Sequence, residues 1–139
     1  METLRGSDIS QGEKIPTFEL EVSATTIVAT AVASRDFMAI HHNVELASSQ
    51  GLPDIILNIL STSGFLERMM ERWAGPEAIL KNVKFRLGVP VVPGQRVRFD
   101  AEVTAKENSG EECLVELAIN VSNEMGNHAL GTMKVAVPR

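Results

Sequence analysis

Apolar residues along this chain recur at two periods, and the switches between them outline its elements. Phe18, Leu20 and Val22 alternate with Glu19 and Glu21, as in a strand with one buried face. The β-branched and small residues from Ile27 to Ala33 predict a second strand. Val44 to Gln50 predicts a short helix closed by Gly51 and Pro53. Asn58 then opens a longer one, in which Ile59, Leu60, Phe65, Leu66, Met69, Met70 and Trp73 form an apolar face. Glu67, Arg68, Glu71 and Arg72 cluster away from that face, and Gly75-Pro76 ends the helix.

Beyond Gly75 the period returns to two. Val83, Phe85 and Leu87 alternate with Asn82, Lys84 and Arg86, and Val97, Phe99, Ala101 and Val103 alternate with Arg96, Arg98, Asp100 and Glu102. Val115, Leu117, Ile119 and Val121 follow, then Met133, Val135 and Val137, with turns at Pro93-Gly94, Asn108-Ser109-Gly110 and Met125-Gly126-Asn127. The expected fold is α+β, an antiparallel meander wrapped around one long central helix, because strands with one apolar face must bury it and only one long amphipathic helix is available. Residues 1–139 make a single domain, with 1–15 expected to be a flexible N-terminal segment.

Composition narrows the possible functions. The 18 acidic side chains outnumber the 13 basic ones, which argues against a nucleic-acid or anionic-membrane surface. The single cysteine, Cys113, has no intrachain partner and is expected to be a buried reduced thiol. Met1 to Lys14 is polar and mixed in charge, unlike a signal peptide, and no apolar stretch is long enough to span a membrane. A soluble cytoplasmic protein is expected.

The candidate chemistry lies at Asp36 and His41. A carboxylate and an imidazole held together can orient a water molecule and move its proton near neutral pH. A second feature is the run of small residues, Ser61-Thr62-Ser63-Gly64, in the first turns of the long helix. These residues permit close packing of helix on sheet, and the unpaired amides of a helix start also suit an oxygen that gains negative charge during reaction. Asn58 is a favourable N-cap that would leave some of those donors free.

Together these residues resemble the MaoC-like enoyl-CoA hydratases of the hot-dog fold. The family's signature has an Asp, three residues, an aliphatic residue, a His, and an Ala or Ser six places later, matched here by Asp36, Ile40, His41 and Ala47. Within that family the chain resembles the small catalytic subunits of steroid side-chain hydratases from cholesterol-degrading actinobacteria. That similarity runs through Ala33-Ser34-Arg35-Asp36-Phe37, Ile40-His41-His42, Gln50-Gly51, Asp54-Ile55, Asn58-Ile59-Leu60, Trp73-Ala74-Gly75-Pro76 and Arg86-Leu87-Gly88-Val89-Pro90.

The resemblance implies hydration of a trans-2-enoyl-CoA, with a bulky steroid side chain as the acyl group. Asp36 and His41 would activate the water, and a backbone N–H of Asn58 or Ile59 would hold the thioester oxygen. It implies no cofactor, CoA being part of the substrate, and the three histidines and one cysteine show no metal-ligand spacing, so no metal is expected. It also implies a hetero-oligomer with a second hot-dog subunit that lacks the Asp/His pair and leaves room for substrate, with a homodimer as the alternative. The chain departs from the family in two places. Leu57-Asn58 replaces the family's His-Gly pair at the oxyanion donor, and Met38-Ala39 replaces the Asn-Pro that follows the Asp.

Other polar residues carry weaker signals. His42 is expected to face solvent or an interface, opposite His41, and Arg35 to serve local structure. Lys84, Arg86, Arg96 and Arg98 form a solvated strand face or, as the lesser alternative, a site for CoA phosphates. Two other functions fit the same fold. A thioesterase would need an acid near the start of the central helix, whereas the first one here is Glu67; a non-catalytic acyl-CoA-binding subunit would not need Asp36 and His41.

Overall fold

The computed structural model describes residues 2–139. Its elements in chain order are β1 (Phe18–Val22), α1 (Ala24–Ala33), α2 (Val44–Ser49), α3 (Ile59–Ala74), β2 (Ile79–Leu87), β3 (Gln95–Ser109), β4 (Glu112–Asn123) and β5 (Gly126–Pro138). The five strands form one sheet in the order β1-β3-β4-β5-β2, and every neighbouring pair is antiparallel.

Alternation puts Val97, Phe99, Val103, Val115, Leu117, Val121, Met133 and Val135 in one core with Leu66, Met69 and Met70 of α3. The Phe99 ring sits between two others, 5.3 Å from Phe18 and 6.1 Å from Phe65 in an edge-on contact. Removing this apolar surface from water is what holds the sheet and α3 together. The long helix starts and stops where the sequence places it. The Asn58 side chain accepts the Ser61 N–H at 2.9 Å, and Gly75 leaves the helix at φ +92°.

Three expectations need correction. Ile27 to Ala33 is not a strand but most of α1. Ser23 caps that helix by accepting the Thr26 N–H, and the Thr30 hydroxyl, which a strand would direct outward, donates to the Thr26 carbonyl at 2.8 Å. Only Ile27 and Ala31, one helical turn apart, are buried, so a helical stripe rather than a strand face makes the contact.

The second correction concerns topology. β2 is not the first strand of a meander; it lies at the far edge against β5, and only β3, β4 and β5 run consecutively. Pro90 and Pro93 in the connection after β2 lack the N–H that a hairpin onto β3 would use. On β5, Gly131 lies opposite Phe85, and a side chain there would collide with the Lys84 carbonyl, so glycine lets the two strands close.

The third correction concerns the segment before β1, which is docked rather than flexible. Ile9 and Ile15 are buried in the core. Gly12 N–H donates to Val103 O, Val103 N–H to Glu13 O and Ile15 N–H to Ala101 O, at 2.8 to 3.1 Å. The Lys106 ammonium, 2.6 Å from Ile9 O and 2.9 Å from Gly6 O, ties the segment to β3. Cys113 is buried and free, as expected. Among the described residues, no helix is long and apolar enough to cross a membrane.

Leu66 is fully buried where α3 meets the sheet. Leu66→Ala is expected to cost about 2–5 kcal/mol through lost burial and a residual cavity. Urea denaturation would show this as a lower midpoint at unchanged slope, and a midpoint equal to wild type would contradict the packing described.

Candidate active site

The end of α1 delivers Asp36. Its last turn closes with Arg35 N–H donating to Val32 O at 3.0 Å and Asp36 N–H to Ala31 O at 2.9 Å, the paired bonds of a Schellman ending. Arg35 occupies the left-handed position of that ending at φ +56°, where glycine is usual. The turn leaves Asp36 just beyond the helix end, with its carboxylate 3.0 Å from Asn58 Nδ2 at the start of α3.

His41 closes a single 3₁₀ turn, Ala39–His41, and its ring is buried. Ile56 O lies 2.7 Å from Nδ1 and can only accept, so Nδ1 carries a proton. That leaves Nε2 facing Asp36 Oδ2 at 3.1 Å. The two residues expected to act together are therefore in direct contact. His42 is exposed, as expected, although the backbone there is a turn and not an extended segment.

The residue joining this pair to the rest of the fold is Asn58. Its Nδ2 donates to Asp36 Oδ2 and to Ser34 Oγ, each at 3.0 Å, while its Oδ1 accepts from the Ser61 N–H and hydroxyl. One carboxamide thus caps α3 and holds the acid. The sequence pointed to Asn58 for its cap and its backbone N–H, but not for this side-chain bond, which joins residues far apart in sequence. Ser34 and the Ile56 carbonyl were missed for the same reason.

Asp36 titrates below its ordinary value of 3.8. The Asn58 hydrogen bond is the largest cause, the Met38 N–H and His41 add to it, and partial burial opposes them. Asp36 is therefore ionised at neutral pH. The ionised carboxylate offers an acceptor to a water molecule beside the His41 ring.

The amides of Asn58 and Ile59 have no hydrogen-bond partner among the described residues. Asn58 has φ −83° and ψ 163°, angles open to any residue, so the loss of the family's glycine does not disturb the backbone. On the segments flanking the pair and at the start of α3, the exposed apolar side chains are Phe37, Met38, Val44, Leu46, Ile59 and Leu60. A groove of about 360 Å³ starts at Ser34 and runs between α1 and α3 past Thr30, Ala33, Leu60, Gly64 and Phe65. A larger concavity, about 550 Å³, lies on the outer sheet face and holds neither Asp36 nor His41. Its Arg98 and Asp100 pair with each other at 2.7 Å, and Arg96 pairs with Glu21 at 2.8 Å, so these two arginines are engaged locally. Among the described residues no group of three or more His, Cys, Asp or Glu could hold a metal ion.

Asn58→Ala is expected to raise the Asp36 pKa toward 3.8 and, through loss of the cap, to cost about 0.5–2 kcal/mol. The sign follows from the depressed folded-state pKa: this stabilisation is full above the unfolded value and lost as pH falls through the folded one. Carboxyl NMR titration of Asp36 together with denaturation checks both, and an unmoved titration would contradict the assigned cause.

Comparison with known proteins identifies the family. The MaoC like domain family matches residues 9–125. The chain is 38% identical over 126 residues, covering 91% of it, to the 3-oxo-4,17-pregnadiene-20-carboxyl-CoA hydratase beta subunit of Mycobacterium tuberculosis, of which 95% is covered. In the crystal structure of the ChsH1-ChsH2 complex from the same organism, one chain matches at a TM-score of 0.86 and 38% identity, over 94% of this chain and 98% of that one. The (R)-hydratase of A. caviae matches at a TM-score of 0.86 but 19% identity, over 96% of this chain and 100% of that one, a likeness of fold. With the family matched across most of its length and its Asp and His in contact, the chain belongs to the MaoC-like domain family and has the hot-dog fold.

Proposed function

We infer that the protein is an enoyl-CoA hydratase acting on a trans-2-enoyl-CoA with a bulky, steroid-like acyl group. The observation that carries the reading is the 3.1 Å contact between Asp36 and His41, set beside unpartnered amides at the start of α3. Water sits beside the contact, within reach of both the carboxylate and Nε2. Its oxygen bonds to C3 of the enoyl unit while the C2=C3 π electrons move toward the thioester carbonyl, giving an enolate. The proton released from water passes to the Asp36/His41 pair, and a proton from the pair then reaches C2. Which group acts as acid and which as base belongs to the coupled pair.

The enolate oxygen is received by the N–H of Asn58 or Ile59, where the helix dipole adds to the hydrogen bond. No cofactor is needed, since the thioester itself activates the double bond. The bulky acyl group follows from the 38%-identical relative named for a steroid carboxyl-CoA, and the apolar groove beginning at Ser34 offers it a wall. Glu67, the acid a thioesterase would need near the helix start, is exposed and two turns further along α3. The hydratase reading is therefore favoured over hydrolysis.

Asp36→Asn and His41→Ala are each expected to lower hydration by about 10²- to 10³-fold, the scale of a positioned acid–base group, in folded protein. Loss of the conjugated enoyl-thioester absorbance measures hydration, and thiol release measures hydrolysis. Near wild-type turnover by both variants would overturn the site, and release of free CoA would overturn the reaction.

The protein works in the cytoplasm as a hetero-oligomer, with a second hot-dog subunit covering the apolar rim of Phe37, Met38, Ile59 and Leu60 and completing the pocket. The support is that rim, the open sheet edges at β1 and β2, and the relative's occurrence in a two-subunit complex. Light scattering of the chain alone and co-expressed with candidate hot-dog proteins should show a larger, more active assembly in the second case. A fully active monomer would refute it.

A further inference from the structure

We propose that His128 and Thr62 form a buried clamp that fixes Asn58, and with it Asp36 and the oxygen-binding amides, in the geometry that hydration requires. The inference rests on the hydratase reading and concerns residues that do not themselves meet the substrate. His128 is almost completely buried on β5, and Thr62 fully so in the first turn of α3. His128 Nδ1 lies 2.8 Å from Val89 O, which can only accept, so Nδ1 carries the proton. Burial pushes the imidazole pKa down and keeps it neutral, leaving Nε2 as an acceptor. The Thr62 hydroxyl lies 2.9 Å from Nε2 and 3.3 Å from Asn58 O, and its one proton goes to the nearer acceptor, Nε2.

These two bonds bracket Asn58 from both sides. Downstream, Thr62 N–H donates to Asn58 O at 3.2 Å, so holding Thr62 holds the carbonyl of the capping residue. Upstream, the loop gripped at Val89 continues to Val91, whose carbonyl accepts the Leu57 N–H at 2.9 Å. The loop lies tight against β5: Gly88 N–H donates to His128 O at 2.7 Å, and a side chain on Gly88 would strike Asn127 O. His128 thus joins β5 to both flanks of the residue that holds Asp36. A buried histidine satisfied only by a surface partner would have no such connection, and a purely apolar contact would pack the helix without fixing its rotation about the first turn.

Both residues are positioning residues. Thr62→Val removes the hydroxyl at nearly constant volume and is expected to lower kcat by about 10- to 100-fold, the scale for small misplacement of reacting groups, while KM changes little. Thr62→Ser should restore most of kcat. His128→Asn keeps a donor for Val89 but is too short to place an acceptor where Nε2 meets Thr62, and should reproduce the Val phenotype if Thr62→Val proves too unstable to assay. Wild-type kcat in either folded variant, or an equal loss in Thr62→Ser and Thr62→Val, would overturn the clamp. Amide hydrogen exchange at Leu57 and Ser61 tests it without turnover. Exchange about ten-fold faster in Thr62→Val than in Thr62→Ser supports it, and equal protection overturns it. A wild-type protein that, alone or with its partner, hydrates no trans-2-enoyl-CoA would instead end the hydratase reading and leave the exchange result standing.

Discussion

The Asn58 carboxamide is the interaction on which the rest of the site depends. Its oxygen takes the Ser61 N–H, one of the donors that a helix start leaves unpaired, and its nitrogen gives hydrogen bonds to Asp36 and Ser34. Aspartate at this position would cap the helix equally well but would set a second negative charge against Asp36. Serine would cap it but could not reach both partners. Only a side chain with a donor and an acceptor on one short arm ties the start of α3 to the end of α1. The Asp36 carboxylate is thereby registered against the same backbone whose Asn58 and Ile59 amides are left without a partner among the described residues.

This arrangement places the chemistry outside the packed core while referencing it to the core. Asp36 follows a Schellman ending and His41 closes a 3₁₀ turn, so neither is held by apolar burial in a regular element. Each is held by hydrogen bonds to segments that are themselves anchored: Asp36 through Asn58, and His41 through the carbonyl of Ile56, whose own N–H donates to Ile40 O at 3.1 Å. Hydrogen bonds are directional where apolar packing is not, and they fix the tautomer of His41 as well as its place. The bulk of the stabilisation comes from α3 against the sheet, and the precision of the site comes from a few polar contacts at its edge.

Much of this was legible along the chain. The alternation in β1 and β3 to β5, the amphipathic stripe of α3, its Asn58 cap and its Gly75 stop are local patterns, and the structure follows them. The Asp36/His41 pair was legible because its spacing is short. α1 was misread because its β-branched residues favour a strand on propensity, while the Ser23 cap and back-bonded threonines decide for a helix. The position of β2 depends on which edge its long connection reaches, and the docking of residues 2–15 on Lys106 and on the β3 backbone, both of which sequence periodicity does not encode. The Asn58–Asp36 and His128–Thr62 bonds join residues 22 and 66 positions apart, so only the folded chain brings them together.

The electrostatics of Asp36 give the apolar rim a chemical meaning beyond shape. In the chain alone the carboxylate is about one-fifth exposed, and its pKa is low because hydrogen bonds outweigh desolvation. Covering Phe37, Met38, Ile59 and Leu60 with an acyl group or a second subunit removes water from the same place. Desolvation then rises and penalises the bare carboxylate, while the attraction between Asp36 and a protonated His41 strengthens as the local dielectric falls. On the hydratase reading, both changes make the pair a stronger acceptor for the proton that water gives up as its oxygen bonds to C3. A site held mainly by hydrogen bonds and closed by apolar surface therefore couples its proton affinity to occupancy, which a pair already buried in the core of a single chain could not do.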